Sequence, residues 1–172
     1  HYFVPAHCCA PVSTSAIALT FDDGPIPGQT EKILDILKSH AVPAAFFCIG
    51  HRVQENTMLV RRIHAEGHVI GNHSYTHKST FGLLSVGSVV QELTKTNAII
   101  RECVGVSPKF FRPPFGVTNP MIAKAVARKN LTVLGWSVSS LDTIIPDRTK
   151  LLNRVTRSLK GGDIILFHDY SD

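Results

Sequence analysis

The sequence predicts an α/β fold of parallel strands, and three observations predict it. Strand-like and helix-like segments alternate along the 172 residues. The strand-like segments are apolar throughout rather than alternating, which marks strands covered on both faces, as in an α/β sheet or barrel. Finally, Asp22 and Asp23, His73 and His77, Arg112, Asp142 and His168 all fall just after such segments. In a parallel barrel those strand ends converge on one face, where chemistry sits. One domain is expected over residues 16–172, after an N-terminal extension of residues 1–15, with no internal linker, repeat or low-complexity stretch.

The elements follow in order. The apolar run from Ala16 to Leu19, followed by Thr20-Phe21-Asp22-Asp23-Gly24-Pro25, reads as a buried strand that ends on the two carboxylates, after which Gly24-Pro25 turns the chain. Thr30 to His40 carries Ile33, Leu34, Ile36 and Leu37 at helix spacing. Pro43 to Ile49 is a continuous apolar run, a buried strand. Val53 to Glu66 reads as one amphipathic helix closed by Gly67. His68 to Gly71 is a short strand that enters the polar loop from Asn72 to His77. Gly87 to Arg101 is a helix, and Lys109 to Phe111 a strand running into Arg112-Pro113-Pro114-Phe115-Gly116. Asn119 to Arg128 is a helix with Pro120 well placed at its first position. Leu131 to Trp136 is a strand, Asp147 to Leu159 a helix, and Asp163 to Phe167 a last strand ending on His168-Asp169.

Composition narrows the function classes. Hydrophobic content of 44% and charged content of 18% fit a globular domain. No apolar run approaches the roughly 20 residues of a membrane span. The segment from His1 to Pro5 lacks the basic-then-apolar pattern of a leader. The net charge of +5 is scattered, with no basic stripe interleaved with aromatics, which argues against nucleic acid as a partner. The four cysteines, Cys8, Cys9, Cys48 and Cys103, contain no C-x-x-C pair, against a zinc ribbon or thioredoxin motif. Cys48 is expected to be a buried thiol.

The polar groups suggest a chemistry. His73 and His77, four residues apart, make a three-ligand set with one carboxylate, leaving a coordination position open as catalytic metal sites do. Of Asp22 and Asp23, one would bind the metal and the other act as general base on water. Breaking an acyl bond then needs a general acid, for which His168 is best placed, although a histidine satisfied at a strand end is the plainer alternative. Arg112 either orients the base carboxylate or pairs with a surface acid. Backbone N–H groups of the loop from Pro114 to Gly116 can help hold an oxyanion.

From Ile17 to His168 the chain resembles the NodB-homology polysaccharide deacetylases, carbohydrate esterase family four, with five motifs in order. The resemblance implies a distorted, incomplete β/α barrel. It also implies Asp22 as catalytic base, and Asp23, His73 and His77 as ligands of one divalent metal, zinc first with cobalt or nickel possible. Arg112 would pair with the base, and the Phe115 N–H, in the loop with Pro114 and Gly116, would serve the oxyanion. Leu166 would line the acetyl-methyl pocket, and His168, oriented by Asp142, would be the catalytic acid. Two motifs depart from the family pattern. Phe115 stands where the family usually has Tyr, and Ser139 and Thr143 replace an Asp and a Trp of the fourth motif, which implies a wider or more polar pocket. Family domains usually continue with another helix, so a further C-terminal segment is expected after Asp172. The implied partner is an acetylated polysaccharide, peptidoglycan or chitooligosaccharide, and the implied place is outside the cytoplasm. An acetylxylan esterase, or a carbohydrate-binding domain without catalysis on the same fold, are the alternatives.

Overall fold

The apolar strands form one sheet, all of it parallel. The computed structural model describes residues 4–10 and 14–169. Parts of the expected N-terminal extension, residues 1–3 and 11–13, and the end of the chain, residues 170–172, lie outside the described residues. The strands are β1 (Ala6–His7), β2 (Ala18–Asp22), β3 (Ala45–Cys48), β4 (Val69–Asn72), β5 (Phe110–Phe111), β6 (Thr132–Leu134), β7 (Val138–Ser139) and β8 (Ile164–His168). The helices are α1 (Thr30–Ser39), α2 (Gly50–Glu55), α3 (Thr57–Ala65), α4 (Val86–Val104), α5 (Pro120–Lys129) and α6 (Arg148–Thr156). Sheet order is β1-β6-β5-β4-β3-β2-β8-β7. Among the described residues no ladder joins β1 to β7, so the curled sheet is an incomplete barrel. A lone antiparallel bridge, Cys9 to Asp163, crosses near the gap.

Helices cover the outside. Leu34, Phe46, Val53, Val60, Ile63 and Ile100 form one buried cluster, and Phe81, Val89, Leu93, Phe111, Ile122 and Val133 a second. Each such side chain contributes about 1.5–3 kcal/mol on leaving water. Val4 is buried in the second cluster and β1 pairs with β6, so part of the N-terminal extension packs on the domain. Cys48 is buried, as its apolar run predicts.

Several elements differ from expectation. The first strand ends on Asp22 as expected, with Thr20, Phe21 and Asp22 paired to both β3 and β8, but its apolar start is not buried: Ala16, Ile17 and Ala18 are exposed. Thr20 and Asp22 are buried, while Phe21 between them stacks on Phe46 and Phe167. The helix expected over Val53 to Glu66 is two helices. Asn56 leaves helical geometry at φ −130°, its side chain donates back to Arg52 O at 2.9 Å, and its own carbonyl starts α3. The two-residue strands β1 and β7 carry no periodic signal and were not expected.

Candidate active site

Parallel pairing brings the C-terminal ends of the strands to one face, and every residue singled out by the motifs lies there. Asp22 ends β2 and Asp23 follows it. His73 and His77 lie on the loop after β4, Arg112 follows β5, Asp142 lies in the loop after β7, and Leu166 and His168 are on β8.

Arg112 occupies the middle of the barrel and is 0% exposed. Its Nη1 donates to Asp22 Oδ1 at 2.7 Å and to Thr20 Oγ1 at 2.8 Å. Nη2 donates to Gly135 O and Nε to Leu134 O. The guanidinium lies 4.2 Å from the Phe47 ring centroid. Arg112 thus holds the buried Asp22, and the alternative of a surface pairing is excluded. Gly135 and the adjacent Trp136, expected in the strand, leave it.

Asp23, His73 and His77 present ligand atoms that lie within 4.8 Å of one another. Asp23 Oδ1 stands 3.4 Å from His73 Nε2 and 3.3 Å from His77 Nε2. That oxygen is buried and has no hydrogen-bond partner among the described residues. His73 Nδ1 lies 2.7 Å from the Arg112 carbonyl, which can only accept, so Nδ1 carries a proton and Nε2 is the ring atom turned toward Asp23. Burial pushes the Asp23 carboxyl up, but His73 and the charges of His77 and His168 outweigh it and bring it down to about 2. Burial, then the His73 charge, push His77 down to about 4 against the pull of Asp23 and Asp22. A buried carboxylate oxygen without a hydrogen-bond partner, facing the Nε2 atoms of two imidazoles, is a donor set that fits a divalent cation.

The loop that carries the histidines is held by α4. Glu92 Oε2 accepts the N–H groups of Tyr75 and Thr76, each at 2.8 Å, and its carboxylate accepts the Thr76 hydroxyl at 3.1 Å. Asn72 donates to Leu93 O and to Asn97 Oδ1 and accepts from Ser74 N–H. Ser74 Oγ accepts the His77 N–H at 3.1 Å. Gly50 N–H donates to Ser74 O, and a Cβ on Gly50 would come within 2.5 Å of Thr96 Oγ1 and 2.7 Å of the Tyr75 ring. Glycine is needed there for the loop to close on α4. Glu92→Ala is expected to weaken divalent-cation binding by about tenfold, the lower range for loss of a group that orients metal ligands. Competition with a chromogenic chelator measures it.

The second carboxylate–base pair is His168 with Asp142. His168 Nδ1 lies 2.8 Å from Asp142 Oδ1, and the His168 N–H donates to Oδ2 at 2.7 Å. Burial disfavours the imidazolium, but the Asp142 hydrogen bond and the charges of Asp142, Asp22 and Asp23 outweigh it and raise the His168 pKa. Burial likewise pushes Asp142 up, and the bonds from His168 bring it below the usual carboxylate range. Leu166 is buried between Thr20 and Ser139 in the ladder. Phe115 is 62% exposed, and its ring lies 4.8 Å from that of His77. Pro114 is buried, and Gly116, at φ +66°, packs so close that a Cβ would stand 2.7 Å from the Trp136 ring. Thr143, in the place of the family's Trp, is exposed.

Among the described residues seven non-glycine residues have positive φ, and five belong to this face: Asp23, Ser74, His77, Phe115 and Leu141. Backbone held in that region costs about 1–3 kcal/mol per residue and gathers at functional sites. The sequence reading missed Thr20, Thr30, Glu92 and Asp169. Thr20 opens the first motif and Asp169 follows His168, so adjacency was the available signal. Glu92 sits in mid-helix with nothing to mark it.

Comparison with known proteins agrees with this geometry. A family described as Polysaccharide deacetylase matches residues 10–134. A peptidoglycan-N-acetylglucosamine deacetylase of Bacillus cereus is 37% identical over 158 residues, 92% of this chain and 57% of the relative. The chain thus spans little more than half the length of that protein. A chitooligosaccharide deacetylase of Bradyrhizobium is 35% identical over 91% of this chain and 71% of its own length. Among solved structures, a peptidoglycan N-acetylglucosamine deacetylase superposes with a TM-score of 0.89 at 35% identity, over 94% of this chain and 75% of that one. A CE4 family pseudoenzyme from Bacillus anthracis superposes with a TM-score of 0.88 at 30% identity, over 95% and 58%. With its motifs in order on one strand-end face and this extent of similarity, the chain belongs to the polysaccharide deacetylase family, the family 4 carbohydrate esterases.

Proposed function

We propose that this chain is a metal-dependent hydrolase that removes acetyl groups from N-acetylglucosamine-containing polysaccharide, peptidoglycan first and chitooligosaccharide second. The observation that carries the reading is one face that combines Asp22 held by Arg112, His168 held by Asp142, and the orphaned Asp23 oxygen facing His73 and His77. Overall likeness does not separate enzyme from binding domain, since a pseudoenzyme superposes as well as a deacetylase. The intact acid, base and ligand residues favour the enzyme.

Asp23, His73 and His77 would hold one divalent cation. Zinc is the first choice for a His-His-carboxylate set, and cobalt or nickel suit the same ligands. When bound, such a cation polarises a carbonyl and makes coordinated water a better nucleophile near neutral pH. Asp22 takes the proton of the attacking water, its carboxylate aimed by Arg112. Attack on the acetamide carbon creates an oxyanion, to which the Phe115 N–H donates. Pro114 and Gly116 shape that loop, and Leu166 lies against the acetyl methyl. His168 gives its proton to the leaving nitrogen as the C–N bond breaks, which releases acetate and a free amine. Action on such polymers sets the reaction outside the cytoplasm. Among the described residues no helix is long and apolar enough to cross a membrane.

Acetate release from N-acetylglucosamine oligomers, peptidoglycan and acetylxylan, with and without chelator and added zinc, tests the reading. The expected result is chelator-sensitive release from the N-acetylated glycans, restored by zinc. Release from acetylxylan alone would make the chain an O-acetyl esterase. No release with zinc bound would favour a binding domain.

The acid pair makes a pH prediction. A proton donor works only while protonated, so activity is lost as pH rises through the raised His168 pKa. Asp142→Asn removes the charge that raises it. The alkaline limb of kcat/KM should move to lower pH by about one pH unit, within the range for loss of an adjacent opposite charge. An unmoved limb would remove His168 from the acid role.

A further inference from the structure

The reaction scheme leaves one buried carboxyl unused. Asp169 follows His168 and is 2% exposed. Its N–H donates to Asp22 O at 2.9 Å, which carries the β2–β8 pairing one step past the strand end. Its Oδ2 accepts the hydroxyl of Thr30 at 2.7 Å. Thr30, the fully buried first residue of α1, in turn accepts the Ile26 N–H at 2.7 Å. Through one hydroxyl, the carboxyl is therefore tied to the far side of the turn that begins with Asp22 and Asp23.

The near side of that turn is closed by packing. A Cβ on Gly24 would stand 1.9 Å from Asp169 Oδ2 and 2.8 Å from its carboxyl carbon. Only glycine lets the turn press on the carboxyl at this distance. Gly24 O also accepts the Ile49 N–H at 2.9 Å, so the turn is gripped from β3 as well. Asp169 Oδ1 is buried without a hydrogen-bond partner among the described residues. Burial, followed by the charges of Asp22 and Asp23, pushes the Asp169 carboxyl up to about 7 against the Thr30 hydrogen bond. A half-satisfied acid beside two further carboxylates is unfavourable as core material, and an apolar residue would fill the space without that cost.

We propose that Asp169 is a positioning residue: its side chain clamps the Asp22–Asp23–Gly24 turn between α1 and the end of β8, fixing the base carboxylate relative to the His168 imidazole. Its effect on turnover rests on the deacetylase reading. Its effect on the Asp23 ligand atom does not, because Asp23 rides on the same turn.

The test compares Asp169→Ala, Asp169→Asn, Thr30→Val, Gly24→Ala and the double variant Gly24→Ala with Asp169→Ala, each checked for folding by circular dichroism. Two readouts are taken: kcat and KM for acetate release from an N-acetylglucosamine oligomer, and zinc affinity from a chelator competition without substrate. Asp169→Ala is expected to lower kcat by about 10²-fold, as a displacement near 1 Å does, with KM unchanged. Zinc affinity should fall by about tenfold. Asp169→Asn keeps an acceptor for Thr30 and the same volume beside Gly24, and should retain most of both. Thr30→Val should move both readouts in the direction of Asp169→Ala. Gly24→Ala should be harmful alone but add little to Asp169→Ala, because removing the carboxyl clears the space the new methyl needs.

A folded Asp169→Ala with wild-type kcat and zinc affinity would overturn the clamp, as would an Asp169→Asn impaired as severely as the alanine. If Asp169→Ala does not fold, wild-type values in both Thr30→Val and Gly24→Ala overturn it instead. If the wild-type protein releases no acetate from any glycan, the deacetylase reading fails, and the zinc titration alone decides the clamp.

Discussion

Asp22→Asn is expected to lower the rate of acetate release by about 10²–10⁴-fold, the range covered by general acid–base catalysis, while zinc stays bound. The asparagine keeps an oxygen that can accept from Arg112 Nη1, and Arg112 keeps Thr20, Leu134 and Gly135 as partners. The barrel should therefore fold, with stability reduced by about 1.5–3 kcal/mol for the weakened charged hydrogen bond. Asp23→Asn is the informative contrast. Its orphaned oxygen faces His73 and His77, so its replacement should cost zinc affinity first and activity only in consequence. Acetate release and zinc titration on both variants separate the roles. Zinc lost in Asp22→Asn and kept in Asp23→Asn would exchange the two.

The reason the site was legible lies in strand polarity. In a parallel sheet every strand ends on the same face, so a polar residue after each apolar run is already a statement about proximity. That logic placed Asp22, His73, Arg112 and His168 together without any contact being known. It could not place Arg112 in depth. Following an apolar run, an arginine reads as a rim residue, whereas it fills the barrel centre where Thr20 and Asp22 turn inward. Alternation between Thr20, Phe21 and Asp22 held that information, but the apolar run before them hid it. Most of the left-handed backbone at the site was also invisible, since Ser74, Phe115 and Leu141 are not types that prefer it. They adopt it because surrounding contacts over-determine the loops, and those contacts come from remote residues such as Glu92. The break at Asn56 was missed for a similar reason: one side-chain bond to Arg52 O decides it, and helical periodicity runs through it unchanged.

Arg112→Met should reduce the free energy of unfolding by about 3–5 kcal/mol, the usual loss when one member of a buried ion pair is removed. The methionine can fill much of the space over Phe47, so lost volume is a minor part of the effect. What remains is Asp22, buried at the end of β2 without its countercharge, together with the Leu134 and Gly135 carbonyls and the Thr20 hydroxyl deprived of a donor. Arg112→Lys should recover only part of the stability, because a single ammonium cannot meet four acceptors arranged around a planar fork. Neither variant should recover kcat, since the base carboxylate is aimed through Nη1. The double variant Asp22→Asn with Arg112→Met gives the sharpest test. It removes both charges, so it should be more stable than Arg112→Met alone, and the cycle should show coupling well above the roughly 0.5 kcal/mol scatter of independent sites. Additive behaviour in denaturant unfolding would mean that the 2.7 Å contact contributes nothing to the fold. Strong coupling would mean that the arginine that aims the base also makes an acid tolerable in the barrel core, so that catalysis and stability draw on the same hydrogen bond.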